Sequence, residues 1–153
     1  MLKQNDRQEF IAWHGSPYTF DRFDFSKLRD VFGVFFTESR EAAAYYARRG
    51  GRSPNGMARQ YCLSFRNVLR VHQGEEYARW VARREGETCR DVRRRIIKAG
   101  YDGIRVECHD GGAVEYVAFS NRNITQMGEV EHKLCIGDKC VDVWTNSNTT
   151  TNV

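Results

Sequence analysis

Val114-Glu115-Tyr116-Val117-Ala118-Phe119 reads as a strand that is apolar on both faces and carries a single carboxylate. Alternation by two puts Glu115 on the side of Val117 and Phe119. A charge placed there loses hydration, and a folded chain keeps it only with a partner or a task. A strand-end position that reaches water is the plainer alternative. Ile104 to Glu107 precede this strand across Asp110-Gly111-Gly112, which has the composition of a hairpin turn. Before them, Thr88 caps a helix that runs to Ala99 and stops at Gly100. Glu75 to Arg84 read as another helix. A long strand through Ala58, Tyr61, Leu63 and Phe65 is followed by Val68-Leu69-Arg70-Val71. Downstream, Val130 to Leu134 and Val141 to Trp144 suit a second hairpin around Gly137-Asp138.

Toward the N-terminus, Phe10-Ile11-Ala12-Trp13 is a short strand entering a turn at His14-Gly15-Ser16-Pro17. Asp21 to Asp30 mix aromatic and polar residues without a clean period. Gly33-Val34-Phe35-Phe36-Thr37 is a strand, after which Thr37 or Ser39 caps an alanine-rich helix reaching about Arg49. Gly50 and Gly51 end it, and Arg52 to Asn55 form a loop. Strands interrupted by separated helices indicate an α+β fold with a mostly antiparallel sheet. One domain is expected over residues 1–144, with a polar, disordered tail over 145–153.

The 153 residues are 41% hydrophobic and 12% aromatic, enough for the core of one domain. No apolar run is long enough to cross a bilayer, and Met1 to Glu9 lack the pattern of a secretory signal. The cytoplasm of the producing or host cell is therefore the expected compartment, with no membrane partner. The five cysteines are odd in number and contain no Cys-x-x-Cys pair, so reduced, partly buried thiols are expected. Cys135 and Cys140 stand where they can face each other across Ile136–Lys139. A metal would need His109 or His132 beside a thiol, and none is expected.

Other residues stand out. His14 follows Phe10 and Ala12 on one strand face; it suits a ligand contact or a neutral turn histidine bonded to backbone. Gly15 permits close approach of a ligand to the backbone, and Ser16 adds a hydroxyl. Tyr45 and Tyr46 sit late in the alanine-rich helix, where aromatics usually join the core. The net charge is +4, and Arg90, Arg93, Arg94, Arg95 and Lys98 form a basic cluster. Arg90, Arg94 and Lys98 share a helix face, which suits nucleic acid or simply water.

Taken in order, His14-Gly15-Ser16, Gly33-Val34-Phe35-Phe36-Thr37, Ala43 to Tyr46 and Glu115-Tyr116-Val117-Ala118-Phe119 resemble the signature blocks of ADP-ribosyltransferases of the His–Tyr–Glu class. That is the class of diphtheria toxin and the poly-ADP-ribose polymerases. Phe20, Phe23 and Phe25 behind the histidine, and Tyr101-Asp102-Gly103-Ile104, are closer to the small domains of phage polyvalent proteins. The resemblance spans about Ile11 to Ile124. It implies a split sheet with NAD⁺ as substrate in the cleft between the halves. It also implies an acceptor protein or nucleic acid, and a toxin-like or effector role.

By this resemblance Glu115 is the catalytic carboxylate, gripping the 2′-hydroxyl of the nicotinamide ribose. His14 bonds the adenosine ribose, Ser16 assists at a ribose hydroxyl, the Gly15 backbone holds the carboxamide, and Tyr46 stacks on nicotinamide. Phe35 occupies the middle position of the triad, where the class has tyrosine. Ala43 replaces a serine of some relatives. Ala113 lacks the Glu or Gln of arginine-modifying enzymes, so that specificity is not implied. The alternatives are an NAD⁺ glycohydrolase, with water as acceptor, and a non-catalytic module binding NAD⁺ or nucleic acid.

Overall fold

The computed structural model describes residues 6–17, 22–28, 31–108 and 111–127, and the backbone of 130–136 and 139–144. Strand β1 (Gln8–Ser16) leads through a 3₁₀ turn at Phe25–Lys27 to β2 (Val34–Thr37) and helix α1 (Arg40–Ala47). Next come β3 (Met57–Phe65), β4 (Val68–His72), α2 (Glu75–Val81), α3 (Cys89–Lys98), β5 (Gly103–Glu107) and β6 (Glu115–Ala118). A 3₁₀ turn at Asn121–Asn123 then precedes β7 (Ile124–Gln126), followed by β8 (Val130–Ile136) and β9 (Lys139–Trp144). The expected tail over 145–153 lies outside the described residues.

Strands β1 to β7 form one sheet in the order β4-β5-β6-β2-β1-β3-β7, and β8 pairs with β9. Within the seven strands β4–β5 alone is parallel, with α2 and α3 supplying its crossover. The seam of the sheet lies between β1 and β2. There, Trp13 opposite Thr37 is the single registered pair, whereas β1 follows β3 from Gln8–Phe65 to Ser16–Met57. The sheet is thus split into β4-β5-β6-β2 and β1-β3-β7. This is an α+β fold, consistent with the sequence reading.

Strand β6 is buried on both faces, which explains its unbroken apolar run. Tyr116 and Ala118 join a cluster with Ala12, Phe36, Leu63 and Phe65, while Val117 joins Ile104, Val106, Val92 and Ile96. Val92 and Ile96 are fully buried stripe residues of α3, each worth about 1.5–3 kcal/mol of transfer free energy. A capping box fixes the start of that helix: the Thr88 hydroxyl accepts from the Asp91 amide while the Asp91 carboxylate accepts from the Thr88 amide.

Three boundaries differ from the sequence reading. Strand β1 continues through His14, Gly15 and Ser16, because each has a partner on β3. Helix α1 stops at Ala47, and Arg49 turns the chain with φ +49°. Helix α2 stops at Val81, because Arg95 donates to the Trp80 and Ala82 carbonyls at 2.8 and 3.2 Å and closes the helix end from another element. Arg95 also grips Glu87, with Nε 3.1 Å from Oε2. It therefore clamps the α2–α3 connection and is not part of an open basic face.

Candidate active site

Where β1 and β2 part, a cleft of about 370 Å³ opens, lined by Trp13, His14 and Gly15 of β1, Phe35, Phe36 and Thr37 of β2, Ala43 and Tyr46 of α1, and Glu115 of β6. Register places three of these in one row. Trp13 faces Thr37 across the seam, and Thr37 faces Glu115 on its other side. Directly opposed residues of antiparallel strands project to the same face, so this row carries the carboxylate to the edge of the split.

Helix α1 closes the far wall because two glycines let it approach. A Cβ on Gly15 would stand 1.8 Å from the Ala43 carbonyl oxygen, and one on Gly56 would stand 1.9 Å from that of Ala47. The bare α-carbon of Gly15 is thus required by helix–strand contact, a reason the sequence alone did not supply. Ser39 caps the helix, its hydroxyl accepting from the Ala42 amide at 3.1 Å.

His14 is held in an aromatic box. The ring of Phe23 meets it edge-on at 4.9 Å, and Phe36 and Tyr61 lie 5.5 and 6.4 Å away. Its Nδ1 is 2.7 Å from the Phe35 carbonyl oxygen. A carbonyl only accepts, so Nδ1 carries the proton, and Nε2 of the neutral ring is an acceptor. Burial lowers the imidazole below its ordinary range, against the opposing effect of that hydrogen bond. The bond uses the backbone of Phe35, so it persists whatever ring that residue bears. Phe25 packs against the same core, and Phe20 lies outside the described residues.

Glu115 is half-buried, and burial pushes its carboxyl above the usual range. Among the described residues no hydrogen bond or ion pair reaches that carboxylate. Its charge is felt by Tyr77, pushed up to about 12 by burial first and Glu115 second, and by Cys108, raised for the same two reasons. The backbone around it is pinned: the Glu38 amide donates to the Val114 carbonyl at 3.0 Å, and the Tyr116 hydroxyl donates to Glu38 Oε1 at 2.6 Å. An under-solvated carboxylate of this kind stabilises developing positive charge.

Tyr46 is 64% exposed and Tyr45 66%, their rings 6.0 Å apart and edge-to-face. Neither is core, so Tyr46 offers an open ring face at the cleft. Phe35 is half-buried, with the ring of Phe32 edge-on at 5.5 Å. Ser16 ends β1 opposite Met57 and is not among the lining residues. Trp13, Phe36 and Thr37 line the cleft but were not singled out from sequence. The signal that finds them is cross-strand register, which sequence spacing does not contain. Arg40 stacks over the Trp13 ring at 5.2 Å. Cys62, Cys89 and Cys108 are free thiols, and backbone register sets Cys135 opposite Cys140.

Residues 8–131 match the family described as ADP-ribosyltransferase in polyvalent proteins. No curated protein matches the chain. A solved structure titled "Crystal structure of an anti-CRISPR protein" is 13% identical, covers 77% of this chain and 93% of that one, and superposes with a TM-score of 0.43. A likeness that distant carries no argument about this chain.

Proposed function

The chain belongs to the ADP-ribosyltransferases of polyvalent proteins, and from that premise we propose that it transfers ADP-ribose from NAD⁺ to a macromolecular acceptor, with Glu115 as the catalytic residue. The observation that carries this reading is the convergence of His14, Gly15, Phe35, Tyr46 and Glu115 on one cleft at the split of the sheet. The cleft's volume of about 370 Å³ lies at the low end for ligand sites and suits the nicotinamide riboside half of NAD⁺.

In the proposed reaction the bond between C1′ of the ribose and the nicotinamide nitrogen breaks, and its electron pair leaves with nicotinamide. That ring is cationic beforehand and neutral afterwards, so no general acid is needed. Positive charge grows on the ribose, as in glycoside cleavage. Glu115 stabilises it through the 2′-hydroxyl, and the acceptor's nucleophile forms the new bond to C1′ while its proton passes to solvent. Tyr46 stacks on the nicotinamide, and Gly15 holds the carboxamide by its backbone. His14 accepts from a hydroxyl of the adenosine ribose through Nε2. Ser16, at the end of β1, stands just beyond the cleft lining and assists at a ribose hydroxyl from there.

The test is to incubate the protein with NAD⁺ labelled in its adenylate half and cell lysate, then to treat samples with protease or nuclease. Label is expected in macromolecules, removed by one treatment, and absent with Glu115→Gln. Free labelled ADP-ribose alone would assign the chain to the glycohydrolases. Intact NAD⁺ would remove the transfer reading.

A further inference from the structure

Remote from the cleft, a concavity of about 330 Å³ gathers arginines from three separate parts of the chain: Arg7 before β1, Arg66 after β3 and Arg122 after β6. Arg7 is preset, its Nε donating to Ser64 Oγ at 2.7 Å and its Nη2 to the Ser64 carbonyl at 2.7 Å. Arg66 and Arg122 are exposed, and among the described residues neither guanidinium makes a hydrogen bond or ion pair. The acidic residue in this wall, Asp102, is already engaged. Its carboxylate accepts from the Arg66 amide at 2.8 Å, the Asn67 amide at 2.9 Å and the Asn123 side chain at 3.1 Å. Three arginines thus surround one hollow against a single carboxylate, whose oxygens are already taken by neutral amides, leaving a net positive charge of about two.

The basic helix leads into the same hollow. Arg90, Arg94 and Ile97 fall at i, i+4 and i+7 of α3, one stripe of the helix, and Ile97 lines the concavity while remaining 49% exposed. Lys98 follows it, exposed. From Arg90 to Lys98 the helix rises about 12 Å, the length of about three phosphates along one strand. Arginine forks match phosphate oxygens. Ile97 and Phe119 meanwhile give the hollow an apolar floor that phosphate alone does not use.

We propose that the Arg7–Arg66–Arg122 concavity and the Arg90–Arg94–Lys98 face of α3 together bind single-stranded nucleic acid. Phosphates lie on the arginines and an unpaired base on Ile97. A duplex keeps its bases stacked inside and reaches only the rim, and a peptide of acidic residues alone has no flat apolar group for the floor. The floor residue Phe119 directly follows β6, four residues and about 13 Å of extended chain from Glu115, so the nucleic acid binds away from the catalytic cleft and not in it.

The test is fluorescence anisotropy of a labelled oligothymidylate of roughly twelve nucleotides with the full chain over a salt series. The single strand should bind more tightly than a duplex of equal length. Poly-glutamate of equal charge should fail to displace it. The double variant Arg66→Gln/Arg122→Gln should weaken binding by roughly tenfold per arginine. It should also reduce the slope of log affinity against log salt by about 1.4, or about 0.7 per lost phosphate contact. Ile97→Ala should lower affinity several-fold and leave the slope unchanged, with a circular-dichroism spectrum like wild type to exclude partial unfolding. Glu115→Gln should bind as wild type, which separates this site from the transfer reaction. The proposal is overturned by no binding, by equal or tighter duplex binding, by displacement with poly-glutamate, or by an unchanged slope in the double variant.

Discussion

The two walls of the cleft hold their titratable groups in opposite ways. His14 is enclosed by Phe23, Phe36 and Tyr61 and tied to the Phe35 carbonyl, so its ring, tautomer and charge are all fixed. Glu115 sits on an equally rigid backbone, but its carboxylate has no hydrogen bond among the described residues and lies partly out of water. A group that only holds a ligand gains from being satisfied in advance, because little is left to order on binding. A group that must respond to charge growing on the substrate is more effective when nothing else has already neutralised it. On the proposed function, the contrast separates a binding wall from a reacting wall.

The largest effect that tests this contrast is on the reacting wall. Glu115→Gln should lower transfer by about 10²–10³-fold, or about 3–4 kcal/mol in the barrier, with NAD⁺ affinity nearly unchanged by calorimetry. Turnover above about a tenth of wild type would make the two walls equivalent. The same variant should be no less stable at pH 7. A carboxyl raised by burial disfavours folding once it ionises, as pH rises through the unfolded and then the folded range. Gln removes that cost.

Gly15→Ala tests the support beneath both walls. The methyl group would meet the α1 backbone, which cannot rotate away as a side chain does. Denaturant titration should show a loss of about 1–3 kcal/mol. An unchanged midpoint would mean that α1 shifts freely and does not define the cleft.

Phe35→Tyr probes the residue that belongs to both walls, its carbonyl serving His14 and its ring packed on Phe32. A pocket built around phenylalanine leaves the added hydroxyl without a partner, so NAD⁺ binding should weaken by about 1–3 kcal/mol. Tighter binding with faster turnover would instead show a pocket that still expects tyrosine.

The smallest effect belongs to the binding wall. His14→Ala should weaken NAD⁺ by up to about tenfold, about 0.5–1.5 kcal/mol, and leave kcat little changed. In the wild type, burial keeps the imidazole neutral. Affinity should therefore stay flat as pH falls through 6.5 and decline only below it, where the ring finally gains a proton. Decline already above pH 6.5 would mean that the folded structure does not depress this histidine.

Much of this was legible from residue order. The apolar run around Glu115 required a strand buried on both sides, and β6 delivers Tyr116 to one cluster and Val117 to the other. Thr88 and Gly100 marked the limits of α3 because capping and helix arrest are local, set by residues within a turn of the boundary. Local chemistry was less informative where a distant donor intervened. Arg95 read as one of a run of surface charges, yet it ends α2 by taking that helix's last carbonyls. By position alone Tyr45 and Tyr46 suited the core, and the resemblance, not the pattern, put Tyr46 at the ligand, since a periodic pattern does not reveal which helix face is left uncovered.

The sequence by itself singled out the candidate site residues and the elements that carry them, through residue type, short-range spacing and the family resemblance. Tertiary structure alone decided three things. The first is the single Trp13–Thr37 pairing that opens the sheet into a cleft. The second is the closeness of α1, which leaves no room for a Cβ at Gly15. The third is the meeting of Arg7, Arg66 and Arg122 around one hollow. Each depends on strand register or on contact between residues far apart in the chain. Those are fixed by the packing of whole faces against one another, and no short window of sequence contains them.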